Sequence, residues 1–264
     1  MKNVGYKITI TGLILIIVFQ WMFMESMKPA KRIVKKPIQK PGAVVTQGKI
    51  AIVLDDWGYN LNNLSIVDKI NFPFTASILP NLSYSRAVAD ELHNRGFEII
   101  LHLPMEPHEK YRLEKNTIFS SLDGQSIKRI IGLDLDSINY AVGVSNHMGS
   151  AVTEDAKVLG IVFKELKSRN MFFLDSFVTP KSVCFELSQK MGLGFISRDV
   201  FLDNVEESNY IKQQISKLKA KAKAKGYAVG IGHDRKITLQ VLKEVMPQLK
   251  KEGFKLVFLS ELVK

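Results

Sequence analysis

Four aspartates, three histidines and one arginine of this 264-residue chain share a setting: each stands at or just beyond the end of a short apolar run. Residues 50–54 run into Asp55 and Asp56, 98–101 into His102, and 141–144 lead to Asn146 and His147. Residues 171–174 run into Asp175, 194–196 lead to Arg198 and Asp199, and 228–231 lead to His233. Two imidazoles and one carboxylate make a three-ligand site of the catalytic zinc type, with one coordination position left for water. The same ligand types suit iron, manganese or cobalt. A second carboxylate beside such a site can act as base on water whose pKa the metal lowers towards ~7. Taken singly, a strand-end histidine is an ordinary structural residue and a strand-end aspartate an ordinary helix cap. Their joint occurrence at equivalent positions points to one site.

The apolar runs, together with 75–79 and 256–259, are mostly four or five residues long and nearly continuous, which reads as parallel strands buried on both faces. Between most of them lie amphipathic stretches of helical period, such as "SYSRAVADELHNRG", "TEDAKVLGIVFKELKSRN" and "TLQVLKEVMPQLKKEG". The first and third of these end on the glycine C-caps Gly96 and Gly253. Alternating strand and helix means βαβ units in one parallel sheet, closed as a barrel or open and doubly wound. In both forms the carboxyl ends of the strands converge on one face, where ligands bind. The twin acids therefore belong to the rim of a common site. Residues 104–139 are less regular and are expected to form a lid or loop with only short helices. Within and beside these blocks, Glu106 closes a loop or backs the site, Trp57 and Tyr59 pack or stack on a ligand, and Asn146 bonds backbone. Gly58 and Gly149 serve the backbone.

The single cysteine, Cys184, excludes an intrachain disulfide framework and a cysteine zinc cluster. Of the net charge of +11, residues 1–40 carry +7, from eight Lys/Arg against Glu25. The remaining basic run, "KLKAKAKAK", lacks interleaved aromatics and reads as a solvated helix face, so no nucleic-acid partner is expected. Residues 8–24 are continuously apolar with Trp21 near the end, and no small-residue cleavage pattern follows. The organisation expected is a membrane anchor or signal segment over 1–27, a basic proline-containing tether over 28–48, and one domain over 49–264. Charge flanking alone would keep the domain cytoplasmic, whereas a short basic N-terminus before one apolar segment is how exported anchors begin. The reading adopted is a retained single-pass anchor with the domain on the exported side of the cell membrane.

The blocks "IAIVLDDWGYN", "ILHLPMEP", "NHMGSAVT", "FFLDSFVT", "ISRDVFLDN" and "AVGIGH" resemble those of the divergent polysaccharide deacetylase family, over about residues 48–262. The resemblance implies a deformed (β/α) barrel of about seven parallel strands and removal of acetyl groups from a glycan with a divalent metal, zinc foremost. By position it implies Asp55 as general base and Asp56, His102 and His147 as metal ligands. It makes His233 the acid for the leaving group, with Asp175, Arg198 and Asp199 as orienting residues. In better-known deacetylases both histidines come from one His-x-x-x-His segment, whereas here they come from separate strands. The function expected is a metal-dependent hydrolase acting on an acetylated cell-envelope carbohydrate. The alternatives are a non-catalytic envelope protein that binds glycan or a protein partner through the same barrel, and a phosphoesterase, which would want more cations than Arg198 near the metal.

Overall fold

A computed structural model describes residues 3–27 and 46–264, which fall in two compact units. The first is the helix α1 (Asn3–Ser26), whose apolar side chains from Leu13 onward are exposed, Phe19 at 74%. Among the described residues no helix is long and apolar enough to cross a membrane, so the expected span over 8–24 is not supported. The apolar run is 17 residues, whereas a bilayer core needs ~20. The expected tether lies outside the described residues up to 45. By Gln47 the chain is already docked: its amide donates to Gly253 O at 2.9 Å, and Gly48 O accepts from Lys255 N at 3.0 Å.

The second unit alternates strand and helix: β1 (Lys49–Trp57), α2 (Leu64–Val67), β2 (Thr75–Ile78), α3 (Ser85–Asn94), β3 (Glu98–Met105) and α4 (Gly124–Ser137). There follow β4 (Ala141–Met148), α5 (Ala156–Ser168), β5 (Phe172–Asp175), α6 (Cys184–Met191), β6 (Phe195–Ser197) and β7 (Val200–Phe201). The unit ends with α7 (Ser208–Lys225), β8 (Tyr227–His233), α8 (Lys236–Lys251) and β9 (Lys255–Val257). All eight expected runs are strands. The sheet has nine strands, these eight and β7, which has two residues and carries no periodic signal. Every strand pair is parallel, in the order β6-β5-β4-β3-β2-β1-β8-β7, with β9 on β1.

The sheet's two outer strands, β6 and β7, are consecutive in the chain with only Arg198 and Asp199 between them. Arg198 N donates to Asp175 O on β5 and Asp199 N to Val229 O on β8, at 3.0 and 2.9 Å. That dipeptide brings the two edges together and rolls the sheet into a deformed barrel. Alternate side chains then divide between two cores. Leu54, Leu101, Val144, Phe173 and Ala228 pack outward among the helices, while Val53, Ile100, Leu174, Ile196, Val229 and Ile231 form the interior. A 3₁₀ turn at Leu259–Leu262 adds Leu259 and Leu262 to that interior, and Lys264 O accepts from Phe195 N at 3.1 Å. The C-terminus thus plugs the amino end of the barrel and leaves the carboxyl end for access.

Residues 104–139 hold a 14-residue helix, α4, instead of only short ones. Asp123 caps it by accepting from Ser126 N at 2.8 Å, and Ile127, Ile131 and Leu135 supply a buried stripe at spacing four that Gly124, Gly132 and Asp134 dilute. Asp134 is fully buried and accepts from Asn81 Nδ2 at 2.6 Å and Asn116 Nδ2 at 3.1 Å, tying two left-handed asparagines of the rim loops to α4. Burial pushes its carboxyl up to about 6 from an ordinary 3.8, against those two bonds. The folded state therefore holds this proton more tightly than the unfolded chain. The group's stabilising contribution is complete below pH 3.8 and is lost as pH rises through about 6. Asp134→Asn keeps the oxygen that both asparagines use but cannot titrate. In urea melts between pH 4 and 7.5 the variant is expected to lose a fall of roughly 2–3 kcal/mol that the parent shows; parallel pH profiles would exclude Asp134 as its source.

Candidate active site

The interior columns decide which polar residues meet. Two residues beyond Val53, Ile100 and Ile231 stand Asp55, His102 and His233, so the face that is apolar in the barrel becomes polar at its mouth. On β4, Val144 packs outward, which turns Ser145 and His147 inward. Register supplies the lateral order, placing Asp55 beside His233 and His102 beside Ser145.

Asp56 is out of phase with Asp55 and should point into the helix layer. Instead its φ is +64° and the pairing of β1 with β2 shifts between Leu54 and Trp57. The strand thus runs through the acidic pair with a bulge rather than ending there, and both carboxylates reach His102. Asp56 Oδ1 lies 3.3 Å from His102 Nε2 and 3.1 Å from His147 Nδ1, and the two ring nitrogens are 3.2 Å apart. Asp55 Oδ2 is 3.7 Å from His102 Nε2.

These three ligand atoms form a nearly equilateral triangle, and three ligands about one tetrahedral ion with bonds of about 2.0–2.1 Å would be ~3.3 Å apart. Buried Asp56 Oδ1 has no hydrogen-bond partner although both nitrogens are so near, and the two rings bond each other instead. Three ligand atoms this close to one another fit a cation, and one carboxylate with two imidazoles suits zinc and, by donor type, iron, manganese or cobalt. His102 is fixed from behind: its Nδ1 meets Ser145 Oγ at 2.7 Å, and Ser145 Oγ meets Ser77 Oγ at 2.7 Å. This leaves Nε2 as the atom facing Asp56.

Burial pushes the Asp55 carboxyl up, with the His102 imidazole partly offsetting it and the Asp56 charge adding to it. Its Oδ1 is buried without a partner. Burial also opposes charge on Asp56, but the two imidazoles outweigh it and hold the carboxyl well below its ordinary value. His233 Nδ1 donates to Asp203 Oδ1 at 2.8 Å, and its Nε2 lies 3.9 Å from Asp56 Oδ2. Burial opposes the imidazolium, but the bond to Asp203 and its charge prevail and raise the pKa. Phe201 stacks on the His233 ring at 5.2 Å between centroids.

The remaining expected residues do not join the cluster. Asp175 is out of phase with interior Leu174; it accepts from Phe177 N at 2.8 Å and Ser182 Oγ at 2.7 Å, and burial raises its pKa. Asp199 turns outward and accepts from Val229 N at 2.8 Å and Lys225 Nζ at 2.5 Å. Arg198 donates to Ser176 O at 2.6 Å and Phe177 O at 2.8 Å and lies over the Phe201 ring. Burial lowers its pKa, which the charges of Asp175 and Asp55 partly restore. Asn146 bonds Met148 O and Ser176 N, Glu106 accepts from Ser120 N and so closes its loop, and Trp57 is fully buried. Tyr59 is half exposed and donates to Glu114 at 2.5 Å.

Sequence reading missed Asp203, Ser145 and Ser77. Asp203 is fully buried and holds His233 by ring and backbone, with Thr238 Oγ1 donating to it at 2.6 Å. Its signal was phase, since it stands two residues beyond Phe201, which packs on the interior core.

Among known proteins, residues 52–263 match the family described as divergent polysaccharide deacetylase. The uncharacterised Escherichia coli (strain K12) protein YibQ is 35% identical over 205 residues, a match covering 78% of this chain and 64% of that protein. This chain thus spans under two thirds of that relative's length. An uncharacterised protein from Agrobacterium tumefaciens C58 has a similar structure, with a TM-score of 0.78 at 18% identity over 84% of this chain and 92% of that one. A deacetylase solved with substrate reaches a TM-score of 0.54 at 13% identity, over 82% and 94% of the two chains. The structural likenesses speak for the fold, and the match over residues 52–263 settles the kinship: the chain belongs to the divergent polysaccharide deacetylase family.

Proposed function

We propose that this protein hydrolyses an acetyl amide or ester on a cell-envelope carbohydrate, with a divalent cation held by Asp56, His102 and His147. The observation that carries the reading is the triangle of ligand atoms, 3.1–3.3 Å on a side, with a partnerless carboxylate oxygen of Asp55 beside it. When bound, the cation supplies positive charge that polarises an acetyl carbonyl and acidifies water. Asp55, buried and with Oδ1 uncommitted, takes the proton of the attacking water. His233, its Nδ1 tied to Asp203, presents Nε2 towards the cluster and returns a proton to the departing nitrogen or oxygen. Asp203 fixes the tautomer and orientation of that ring, as Ser145 and Ser77 fix His102. Arg198 and Asp175 act on the turn after β5 rather than on the reacting atoms. An envelope location belongs to the same proposal and is supported by the exposed apolar side chains of α1, such as Leu13, Phe19 and Phe23.

Metal content by plasma mass spectrometry, with folding checked for each protein, tests the ligand set. Wild type is expected to hold about one ion per chain after zinc loading, and Asp56→Ala, His102→Ala and His147→Ala to lose it. Folded wild type that takes up no zinc would sink the proposal.

Acetate release from N-acetylglucosamine oligomers and acetylated xylan tests the roles. Asp55→Ala should keep its metal and lose about 10²–10⁴-fold in kcat. Asp203→Asn should also keep its metal and lose on the order of 10²-fold, with the pH profile of kcat displaced through His233. Turnover of Asp55→Ala at the wild-type rate would remove the base from the scheme.

A further inference from the structure

An exposed aromatic ring held in a conformation that suits glycine calls for an account. Phe177, in the turn after β5, has φ +51° and is 45% exposed. A bulky side chain is rarely found there, and glycine would adopt the same backbone freely. Groups from three strand ends hold the turn. Asn146 Oδ1 accepts from Ser176 N at 2.8 Å and Asn146 O from Ser176 Oγ at 2.9 Å. Asp175 Oδ1 accepts from Phe177 N at 2.8 Å, while Arg198 donates to Ser176 O and Phe177 O at 2.6 and 2.8 Å. Buried or half-buried polar groups are thus committed to keeping one phenyl ring in solvent, an arrangement that packing does not require.

The turn borders a cavity of about 190 Å³ lined by Pro107, Glu109, Tyr111, Met148, Ser150 and Val178. Met148 directly follows His147, so the cavity opens one residue from the metal cluster. Tyr111 and Val178 are exposed like Phe177, at 61% and 39%. The volume is small for a drug-sized ligand and suits a single ring. Ser150 Oγ donates to Glu109 Oε2 at 3.2 Å, a polar pair able to meet hydroxyls. No lysine or arginine lines the cavity, which argues against a phosphate.

We propose that Phe177 is a stacking platform which, with Tyr111 and Val178, seats the apolar face of one pyranose ring adjoining the acetylated sugar. This rests on the carbohydrate reading of the site and deepens it, making the substrate an oligosaccharide or polymer gripped by at least two rings. The platform is a binding feature: Phe177 touches the sugar, and Asp175, Arg198 and Asn146 position it.

Phe177→Gly is the test, because it removes the ring while relaxing the left-handed backbone. Zinc-loaded full-length proteins are titrated with tetra-N-acetylchitotetraose by calorimetry, with Tm, metal content and acetate release measured alongside. The expected result is a Tm equal to or above the parent's, unchanged metal and a Kd weaker by about tenfold or more. Phe177→Tyr should keep the affinity. A purely structural role makes the opposite prediction, a lower Tm with the Kd retained, and that result would overturn the platform. Wild type that fails to bind the tetramer would also overturn it, with acetate release then judging the deacetylase reading separately. Binding that depends on Phe177 without any acetate release would leave the platform standing and the deacetylase reading refuted.

Discussion

Adjacent residues of a strand face opposite sides of the sheet, yet Asp55 and Asp56 must serve one centre. The left-handed backbone at Asp56 resolves that conflict, and the geometry of the site depends on it. A non-glycine residue held there costs of order 1–3 kcal/mol and persists only where its surroundings fix it. Here the flanking backbone is tied on both sides: Asp55 O accepts from Asp234 N at 2.8 Å, and Trp57 O from Leu79 N at 2.9 Å. The fully buried Trp57 ring, two places on from Asp55, locks the strand after the bulge. Relaxing φ at Asp56 would return its carboxylate to the helix layer and leave His102 and His147 facing each other without the carboxylate oxygen beside them.

The same two-residue period explains what could be read from the sequence and what could not. Strand positions were legible because near-continuous apolar runs of four or five residues have few other uses in a chain of this size. Polar groups at their ends were legible as a set. Membership of the cluster was not, because that depends on phase. Asp55, His102, His147 and His233 continue the inward columns of Val53, Ile100, Ser145 and Ile231, whereas Asp175 and Asp199 continue outward columns and are spent on backbone and Lys225. Phase cannot be counted until the inward face of each strand is known, and β7 is too short to declare one, so Asp203 went unseen. α4 was hidden by its polar and glycine positions, which the fold tolerates because only three of its apolar side chains need burial to hold it.

Closure of the barrel links these local choices. With one dipeptide spanning the seam, the position of Arg198 is set by backbone bonds to β5 while the next amide bonds β8. The guanidinium is thereby delivered to the turn after β5 and to the face of Phe201, whose ring also stacks on His233. One short connection thus orients the rim on one side and His233 on the other. The plug at the opposite end, built from Leu259 and Leu262, completes an apolar interior beneath the site. An apolar floor of low dielectric strengthens every charge interaction above it, which is consistent with a carboxyl raised at Asp55 and one lowered at Asp56 on adjacent residues.

Strain is distributed in the same pattern. Among the described residues, seven non-glycine positions have positive φ, and three of those are asparagines, for which the conformation is cheap. Of the other four, Tyr140 is stacked on the His93 ring at 3.8 Å, while Asp56, Met148 and Phe177 lie at or just beyond the carboxyl ends of β1, β4 and β5. Glycine at any of the three would relieve the backbone, so the side chains must justify the cost. For Asp56 the justification is a carboxylate oxygen set beside His102 and His147. Met148 continues directly from His147, with Asn146 Nδ2 donating to its carbonyl at 2.7 Å, so its turn sets where β4 releases its histidine. Phe177 alone has no partner in the cluster, and it is the one whose ring stands in solvent; the conformation is therefore kept for something outside the fold.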